Sequence, residues 1–282
     1  LNVTGNVANR NGQLDVTNNG AGGFNIDGTI SNVGTTNLTN NAGTFNIDGD
    51  VNGTGNTNIL NDGTQLIITG NVQNQNGKLD ITNNNGNLDI LAGATVSNND
   101  ETVILNKGTN LQIDGNVTNA GDLAITNNGT GAFTIDGTVT NTGNKTNIIN
   151  NGKELIVSQT GKVDTNGLTM TNNKGNLQID GTVTNKGEAE ITNNGNALNI
   201  SGKIVNADGS ITILNEGDGG LNLADIGIIE TEGLEMINNG EAGLNIDGTI
   251  TNVGTATISN NAGTLLVNGT VNNDGNATLT ND

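Results

Sequence analysis

The sequence predicts an all-β fold in which short strands wind into a parallel β-helix, a form of solenoid. A motif of roughly 22 residues recurs along the whole chain, and this period lies in the range of solenoid repeats. Within each copy, apolar and polar residues alternate, as in strands with one buried and one wet face. The chain has 44 Gly and only three Phe, and it has no Trp, Tyr, Pro, Cys or His, so its core must be built almost entirely from aliphatic side chains.

Each copy of the motif opens with Leu or Phe, and we number the roughly 13 copies as coils in chain order. Stacked about 4.8 Å apart, they would form a rod on the order of 60 Å long. We expect one continuous β-helix over residues 1–282. We also expect it to be a segment of a longer protein, because "LNVTG" and "NATLTND" lie inside the pattern. The coils begin at Leu1, Phe24, Phe45, Leu66, Leu88, Leu111, Phe133, Leu155, Leu177, Leu198, Leu221, Leu244 and Leu265.

Coil 9 shows how one copy is divided into three short strands. Gly181 separates "LQID" from "TVTN", Gly187 separates "TVTN" from "EAEITN", and "NNG" closes the coil. Val, Ile and Thr favour strands, whereas Gly and Asn recur too often for a helix. Asn-Gly is a turn signal because both residues tolerate a positive φ. The pattern therefore predicts three strands and three corners per coil.

The alternation also predicts what fills the interior. The first inward position holds Leu or Phe, and Phe24 and Phe45 should be stacked neighbours. Inward Asn residues recur at the ends of the second and third strands, where a ladder of side-chain amides would satisfy buried polar groups that otherwise cost about 1–3 kcal/mol each. These residues are Asn32, Asn74, Asn119, Asn141, Asn185 and Asn252 in the second strand, and Asn40, Asn83, Asn127, Asn172, Asn193, Asn238 and Asn260 in the third.

Three copies depart from the "IDG" pattern: Leu88–Asn110, Leu155–Asn176 and Leu221–Gly243. Each inserts about two residues before the second strand and could form a bulge or a longer corner. Such a corner could be a protruding binding loop or a drifted, higher-order repeat. We favour the second interpretation, because the insertions are short and carry no special chemistry.

Two stretches far apart in the chain are nearly identical. Residues 24–44 read "FNIDGTISNVGTTNLTNNAGT" and residues 244–264 read "LNIDGTITNVGTATISNNAGT". This similarity indicates duplication of a block of roughly ten coils, in addition to the older duplication of single coils. We interpret the shared text as a unit of length rather than as a functional motif.

Composition excludes several classes of function. The net charge of −19 argues against nucleic-acid binding, which requires Lys and Arg to neutralise phosphates. No apolar run approaches the roughly 18 residues needed to cross a bilayer, so we expect no membrane insertion. Without His or Cys, the usual general base, the thiol nucleophile and the common zinc ligands are missing. We therefore expect no enzyme activity, no cofactor, and no catalytic, cofactor-binding or metal-binding residues.

One ionisable feature repeats: an outward Asp before the corner Gly, which is replaced by Thr69, Ser201 and Asn268 in other coils. Carboxylates in adjacent coils could form a weak Ca²⁺ site, since hard cations prefer oxygen ligands. We favour solvated Asp residues that suit an Asp-Gly corner. An ice-binding face of outward Thr is disfavoured, because residues such as Asp50 and Lys203 interrupt the Thr row. The repeated residues are Asp27, Asp48, Asp114, Asp136, Asp180 and Asp247.

The repeat text "IDGTVTNxGxxxITNNxG", with Asn at the strand ends, resembles the rod repeats of the filamentous haemagglutinin-like exoproteins. These are large bacterial adhesins of the two-partner secretion class, and the resemblance covers the whole chain. It implies a right-handed parallel β-helix, export by a partner barrel in the outer membrane, and a surface filament with adhesive or toxic ends. No functional residue carries over, because the rod repeat has none.

The resulting expectation is a structural rod or spacer in an extracellular, cell-surface adhesin that projects a distal tip. The implied partners are a host-cell or bacterial receptor or glycan bound through parts outside this segment, and an outer-membrane transporter for export. Lateral association of rods is left open. The alternative is that the rod face itself binds a glycan or a protein partner. A polysaccharide-degrading β-helix enzyme is the less favoured third reading, because the chain has almost no aromatic or basic residues to hold sugars.

Overall fold

The computed structural model describes residues 1–282, and the chain folds as an all-β parallel solenoid of about 13 coils without any helix. The predicted fold class and the repeat of roughly 22 residues are confirmed. Two compact units make up the chain, Leu1–Asn144 and Lys145–Asp282. In each unit, strands pair in parallel with the equivalent strands of the neighbouring coils.

Unit 1 contains three columns of short strands. The first strands are Asn2–Val3, Phe24–Ile26, Thr44–Ile47, Gln65–Ile68, Leu88–Ile90, Leu111–Ile113 and Phe133–Ile135. The second strands are Val7–Asn9, Thr29–Asn32, Asp50–Gly53, Asn71–Asn74, Thr95–Asn98, Asn116–Asn119 and Thr138–Asn141. The third strands are Leu14–Asn18, Thr36–Asn40, Thr57–Asn61, Leu79–Asn83, Thr102–Asn106 and Leu123–Asn127. We call the link between first and second strands the first corner, and that between second and third strands the second corner.

Unit 2 has the same organisation. Its first strands are Leu155–Val157, Leu177–Ile179, Leu198–Ile200, Leu221–Leu223, Leu244–Ile246 and Leu265–Val267. Its separate second strands are Lys162–Thr165, Thr182–Asn185, Thr249–Asn252 and Thr270–Asn273. Its separate third strands are Thr146–Asn150, Leu168–Asn172, Ala189–Asn193, Ala256–Asn260 and Ala277–Asn281. In coils 10 and 11 the second and third strands are fused, as Lys203–Asn215 and Ile228–Asn238.

The fused strands differ from the three separate strands predicted for every coil. The second corner of coil 11 consists only of residues 232–233, but its length alone does not explain the fusion, because the equally short corner of coil 8, residues 166–167, still separates two strands. Coil 10 has residues 207–210 at the same place, and the pairing of the two coils shifts register between Asn206 and Ser210. The strands therefore bend continuously around this corner through a bulge.

Equivalent inward residues stack directly on one another. Phe24 pairs with Phe45, and Ile26 pairs with Ile47, which in turn pairs with Ile68. The two Phe rings are stacked, with their centroids 4.6 Å apart and an interplanar angle of 9°. All five side chains are buried. The predicted Phe neighbours and the predicted inward face of the first strand are therefore confirmed.

The third-strand Asn column, meaning the Asn that ends each third strand, is continuous within each unit. The side-chain Nδ2 of one Asn donates to Oδ1 of the Asn in the next coil, always in the same direction along the chain. In unit 1 the donor–acceptor distances are 2.7–2.8 Å, through Asn18, Asn40, Asn61, Asn83, Asn106 and Asn127. In unit 2 they are 2.7–2.9 Å, through Asn150, Asn172, Asn193, Asn215, Asn238, Asn260 and Asn281.

The second-strand Asn column, at the ends of the second strands, is interrupted. Its position is taken by Gly53, Thr165 and Thr231 in three coils. A Thr hydroxyl substitutes for the missing amide in two of these places. Thr57 Oγ1 donates to Asn74 Oδ1 at 3.1 Å, and Thr165 Oγ1 donates to Asn185 Oδ1 at 3.0 Å. Asparagine ladders are thus confirmed, and the third-strand column is the more regular of the two.

Glycine is needed at the first corners of coils 3 and 4 for a reason that the sequence did not indicate. No residue other than Gly has a positive φ, and Gly49 and Gly70 do not have one either. A Cβ on Gly49 would lie 2.0 Å from the carbonyl oxygen of Gly28, and a Cβ on Gly70 would lie 2.0 Å from that of Gly49. Close stacking of successive coils, and not the backbone conformation, therefore excludes a side chain at these corners.

The predicted two-residue insertions are present at the first corners of coils 5, 8 and 11. These corners run over residues 91–94, 158–161 and 224–227, where coil 6 has only Asp114 and Gly115. The strands after the longer corners return to the common register, as the pairing of Val96 with Val117 shows. The insertions are therefore absorbed locally and do not disturb the stack.

The two faces of the second strand can be compared at neighbouring residues of coil 9. Asn185 is 1% exposed, donates to Asn206 Oδ1 at 2.7 Å and to Gly187 O at 3.0 Å, and accepts from Thr165. Asn185→Leu should lower the free energy of unfolding by about 2 kcal/mol or more, because it leaves these buried partners unpaired. Thr184→Leu, on the outward face, should change it by no more than about 0.5 kcal/mol. Urea unfolding monitored by circular dichroism checks this, and equal midpoints for the two variants would contradict the inward assignment.

Candidate functional site

The repeated outward Asp residues lie at the first corners, directly after the first strands. Most of their carboxylates accept a hydrogen bond from a neutral amide two residues earlier in the same coil. In coil 2, Asn25 Nδ2 donates to Asp27 at 2.7 Å. In coil 6, Gln112 Nε2 donates to both carboxylate oxygens of Asp114, at 2.9 Å and 3.0 Å. In coil 9, Gln178 Nε2 donates to Asp180 at 2.6 Å. Asp247 accepts from Asn245 in the same way, at 2.6 Å. Asp136 occupies the equivalent position of coil 7.

The residues that interrupt the Asp column are themselves hydrogen-bond donors to it. Thr69 Oγ1 donates to Asp48, Ser201 Oγ donates to Asp180, and Asn268 Nδ2 donates to Asp247 at 2.9 Å, in each case one coil earlier. Alternation of Asp with Thr, Ser or Asn therefore links adjacent coils by neutral hydrogen bonds. The structure contains no group of three or more His, Cys, Asp or Glu side chains that could hold a metal ion.

The outward Thr row is broken in the structure as the sequence indicates. Thr29 pairs with Asp50, and Asp50 pairs with Asn71, so the second strands of coils 2–4 place three different side chains in line. In unit 2, Thr182 is followed by Lys203. The row is therefore not a uniform Thr surface.

Asp89 is an unusual carboxylate that the sequence analysis did not identify. It is in line with Ile67 and Gln112 on the first strands and is 8% exposed. Burial raises the pKa of Asp89, a hydrogen bond from Gln65 Nε2 (2.7 Å) opposes the rise, and the charge of Asp114 adds to it. The equivalent outward position of the other first strands is mostly polar, so nothing in the local pattern distinguishes Asp89 from a solvated residue.

Unit 2 has a shallow, open notch at one set of corners. It lies at the second corners of coils 10–12, and its walls are Val205, Ala207, Glu230, Glu232, Thr251 and Val253. The corner of coil 11, residues 232–233, is shorter than residues 207–210 of coil 10 and residues 253–255 of coil 12. The short corner is therefore recessed between its neighbours. Val253 is 59% exposed at the rim.

Asn206 lines the notch and carries an unpartnered donor. The residue is 2% exposed, its Oδ1 accepts from Asn185 at 2.7 Å, and its Nδ2 has no hydrogen-bond partner. The next coil has Thr231 where the second-strand column would place an Asn. The Thr231 hydroxyl donates to Gly233 O at 2.9 Å and its oxygen accepts the N–H of Gly233 at 3.3 Å, so both of its hydrogen bonds go to its own corner and none to Asn206. The buried side-chain amide of Asn206, which lacks a hydrogen-bond acceptor, therefore lies beside the recessed corner of coil 11.

The charges at the notch are acidic. Glu230 forms an ion pair with Lys203 at 2.9 Å, and Glu232 accepts from the backbone N–H of Gly209 at 3.4 Å. Small aliphatic walls and carboxylates at the notch could hold an apolar group that carries a positive charge. The short corner and the Thr in the Asn column do not single out this place in the sequence, because coil 8 has both features, at Thr165 and residues 166–167.

Asp89→Asn tests the burial of this carboxylate. A raised pKa means that ionised Asp89 destabilises the fold as the pH rises through the folded pKa, and that this cost disappears well below the ordinary value of 3.8. Asp89→Asn should therefore raise the Tm at neutral pH and leave it unchanged in strong acid. Thermal unfolding across pH checks this, with the exposed Asp27→Asn as the control. A lower Tm for Asp89→Asn at neutral pH would contradict the assignment.

No helix in the structure is both long and apolar enough to span a membrane. Comparisons of the chain with models of known protein families, with curated proteins and with solved structures give no match. The solenoid itself is compatible with a β-helix repeat protein.

Proposed function

We propose that this chain is a structural spacer, a rod segment of a large bacterial surface or secreted adhesin. The observation that carries the proposal is the regularity of the coils. Strands pair only with the equivalent strands of adjacent coils, and the third-strand Asn column continues through each unit whatever the outward residues are. Because each coil depends on its neighbours alone, the length of such a segment is set by the number of copies.

The surface chemistry supports a passive role. The net charge of −19 favours solubility and opposes close self-association. All three Phe side chains are buried, so the surface offers no aromatic platform on which a sugar ring could stack. This arrangement disfavours both a polysaccharide-degrading enzyme and glycan binding along the rod face.

The cellular context of the proposal comes from the resemblance to the filamentous haemagglutinin-like exoproteins. In that context the segment is extracellular, is exported with the help of an outer-membrane transporter, and projects a distal adhesive or toxic tip. Receptor or glycan binding would then belong to parts of the protein outside residues 1–282. The contribution to adhesion and virulence would be mechanical.

A second candidate function is binding of a protein partner through the rod face, and the notch favours it. The unpartnered Asn206 amide and the exposed Val253 lie together at a corner whose shape differs from those of the adjacent coils. A protein side chain with an aliphatic stem suits these walls better than a sugar does. The near-identical copy at residues 24–44 places Val33 at the same point of its own coil, 60% exposed.

A binding assay with the full chain separates the two candidates. The spacer proposal predicts that labelled protein binds neither host nor bacterial cells, nor a glycan array, above background. The Val253→Asp and Val33→Asp variants should likewise show no binding above background. Binding by the unchanged chain would contradict the spacer proposal. If Val253→Asp abolishes that binding and the matched Val33→Asp does not, the notch is the binding site.

A further inference from the structure

Asn-Gly pairs recur throughout this chain and are chemically vulnerable. The backbone nitrogen of the Gly can attack Cγ of the preceding Asn, forming a new N–C bond, while the Cγ–Nδ2 bond breaks and ammonia leaves. Water then opens the resulting succinimide at either carbonyl and yields Asp or isoaspartate. Each event adds one negative charge, and isoaspartate also lengthens the backbone by one carbon. The attack requires a Gly nitrogen that is free to lose its proton and move toward Cγ.

The third-strand Asn column restrains the Gly nitrogen at some of these pairs. In the run Asn18-Asn19-Gly20, the buried Asn18 accepts the N–H of Gly20 on its Oδ1 at 3.3 Å. In the run Asn238-Asn239-Gly240, Asn238 accepts the N–H of Gly240 at 3.3 Å. The column Asn is itself held by the next coil, so this hydrogen bond ties the Gly nitrogen to the core.

Other pairs lack this restraint. Gly195 follows Asn193-Asn194 in the same sequence context, yet its N–H has no hydrogen-bond acceptor, although Asn193 is in the column. Asn11-Gly12 lies in an exposed second corner, where Gly12 has a φ of +85° and its N–H is also without an acceptor. Asn11 and Asn194 are both exposed to water.

We propose that the third-strand Asn column protects the Asn-Gly corners that it contacts from deamidation, and that Asn11 and Asn194 are modification sites. Protection is a second role of the column, separate from its contribution to folding. The column Asn can protect the corner because its Oδ1 has two lone pairs. One accepts the ladder hydrogen bond, and the other remains available for the N–H of the corner Gly. Sites outside this protection would accumulate Asp and isoaspartate as the protein ages in water.

The unchanged full chain provides the first test, because Asn194 and Asn239 both follow a third-strand column Asn in unit 2. Each side chain also has one hydrogen bond with the equivalent Asn of an adjacent coil, since Asn194 donates to Asn173 at 2.8 Å and Asn239 accepts from Asn261 at 2.7 Å. The folded protein is incubated at mildly alkaline pH, and conversion at each Asn is followed by peptide mapping with mass spectrometry. Asn11 and Asn194 should convert at least about tenfold faster than Asn19 and Asn239, a factor that one hydrogen bond of ordinary strength can supply. In denaturant the four rates should converge. Equal rates in the folded protein, or an unreactive Asn239 in denaturant, would overturn the proposal.

A pair of variants in coil 1 tests the role of the column side chain directly. Asn18→Ala removes the acceptor of the Gly20 N–H and should raise the conversion rate of Asn19 toward that of Asn11. Asn9→Ala is the control, because Asn9 is the ladder residue of the second strand, donates to Asn32 at 2.9 Å and to Gln13 O at 3.3 Å, and has no hydrogen bond with Gly20; the reference rate of Asn11 is taken from the unchanged chain. Circular dichroism establishes that both variants are folded. If Asn18→Ala is folded and Asn19 remains protected, the proposal is wrong; if it is unfolded, the comparison of Asn194 with Asn239 decides.

Discussion

The hydrogen bond from the side-chain amide of one Asn to that of the Asn one coil later is the interaction on which this fold depends. A solenoid that turns a corner brings backbone carbonyls inside, where no strand can receive them. Asn has two donors and one acceptor on a short side chain, so it can serve the next coil and its own corner at once. Asn40 does both, donating to Asn61 Oδ1 at 2.7 Å and to Gly43 O at 3.0 Å. Because all of these amides donate in the same direction, each bond polarises the next.

The Asn columns also fix the register of the strands. Side chains alternate with a period of two, so a slip of one residue would turn every column Asn outward and every outward Thr or Asp inward. Such a slip would leave buried hydroxyls and carboxylates without partners, at a cost that the aliphatic stack could not offset. Stacking in register, in turn, brings Gly49 so close to Gly28 that no side chain fits. The composition of the chain, rich in Asn and Gly, is thus the consequence of one repeated contact.

The sequence was sufficient to predict the contacts that repeat in every coil. It was insufficient to predict contacts that arise where two adjacent coils differ in sequence or corner length. Alternation within a coil predicted the stacked Phe24 and Phe45 and the inward Asn185, because these follow from spacing alone. The unpartnered Asn206 was not predictable in this way, since it arises from Thr231 and a short corner in the next coil. The burial of Asp89 and the close approach at Gly49 likewise depend on neighbours that lie a full coil away in the chain.

The spacer proposal draws its physical basis from the same contact, because an interaction that repeats identically in each coil allows copies to be added without redesign. Hydrogen exchange of the side-chain amides, measured by NMR, tests this basis most directly. We expect the Nδ2 protons of Asn61 and Asn215 to exchange orders of magnitude more slowly than those of the exposed Asn11, and those of Asn206 to exchange faster than those of Asn185. Column amides that exchange as rapidly as Asn11 would contradict the claim that these hydrogen bonds hold the coils together.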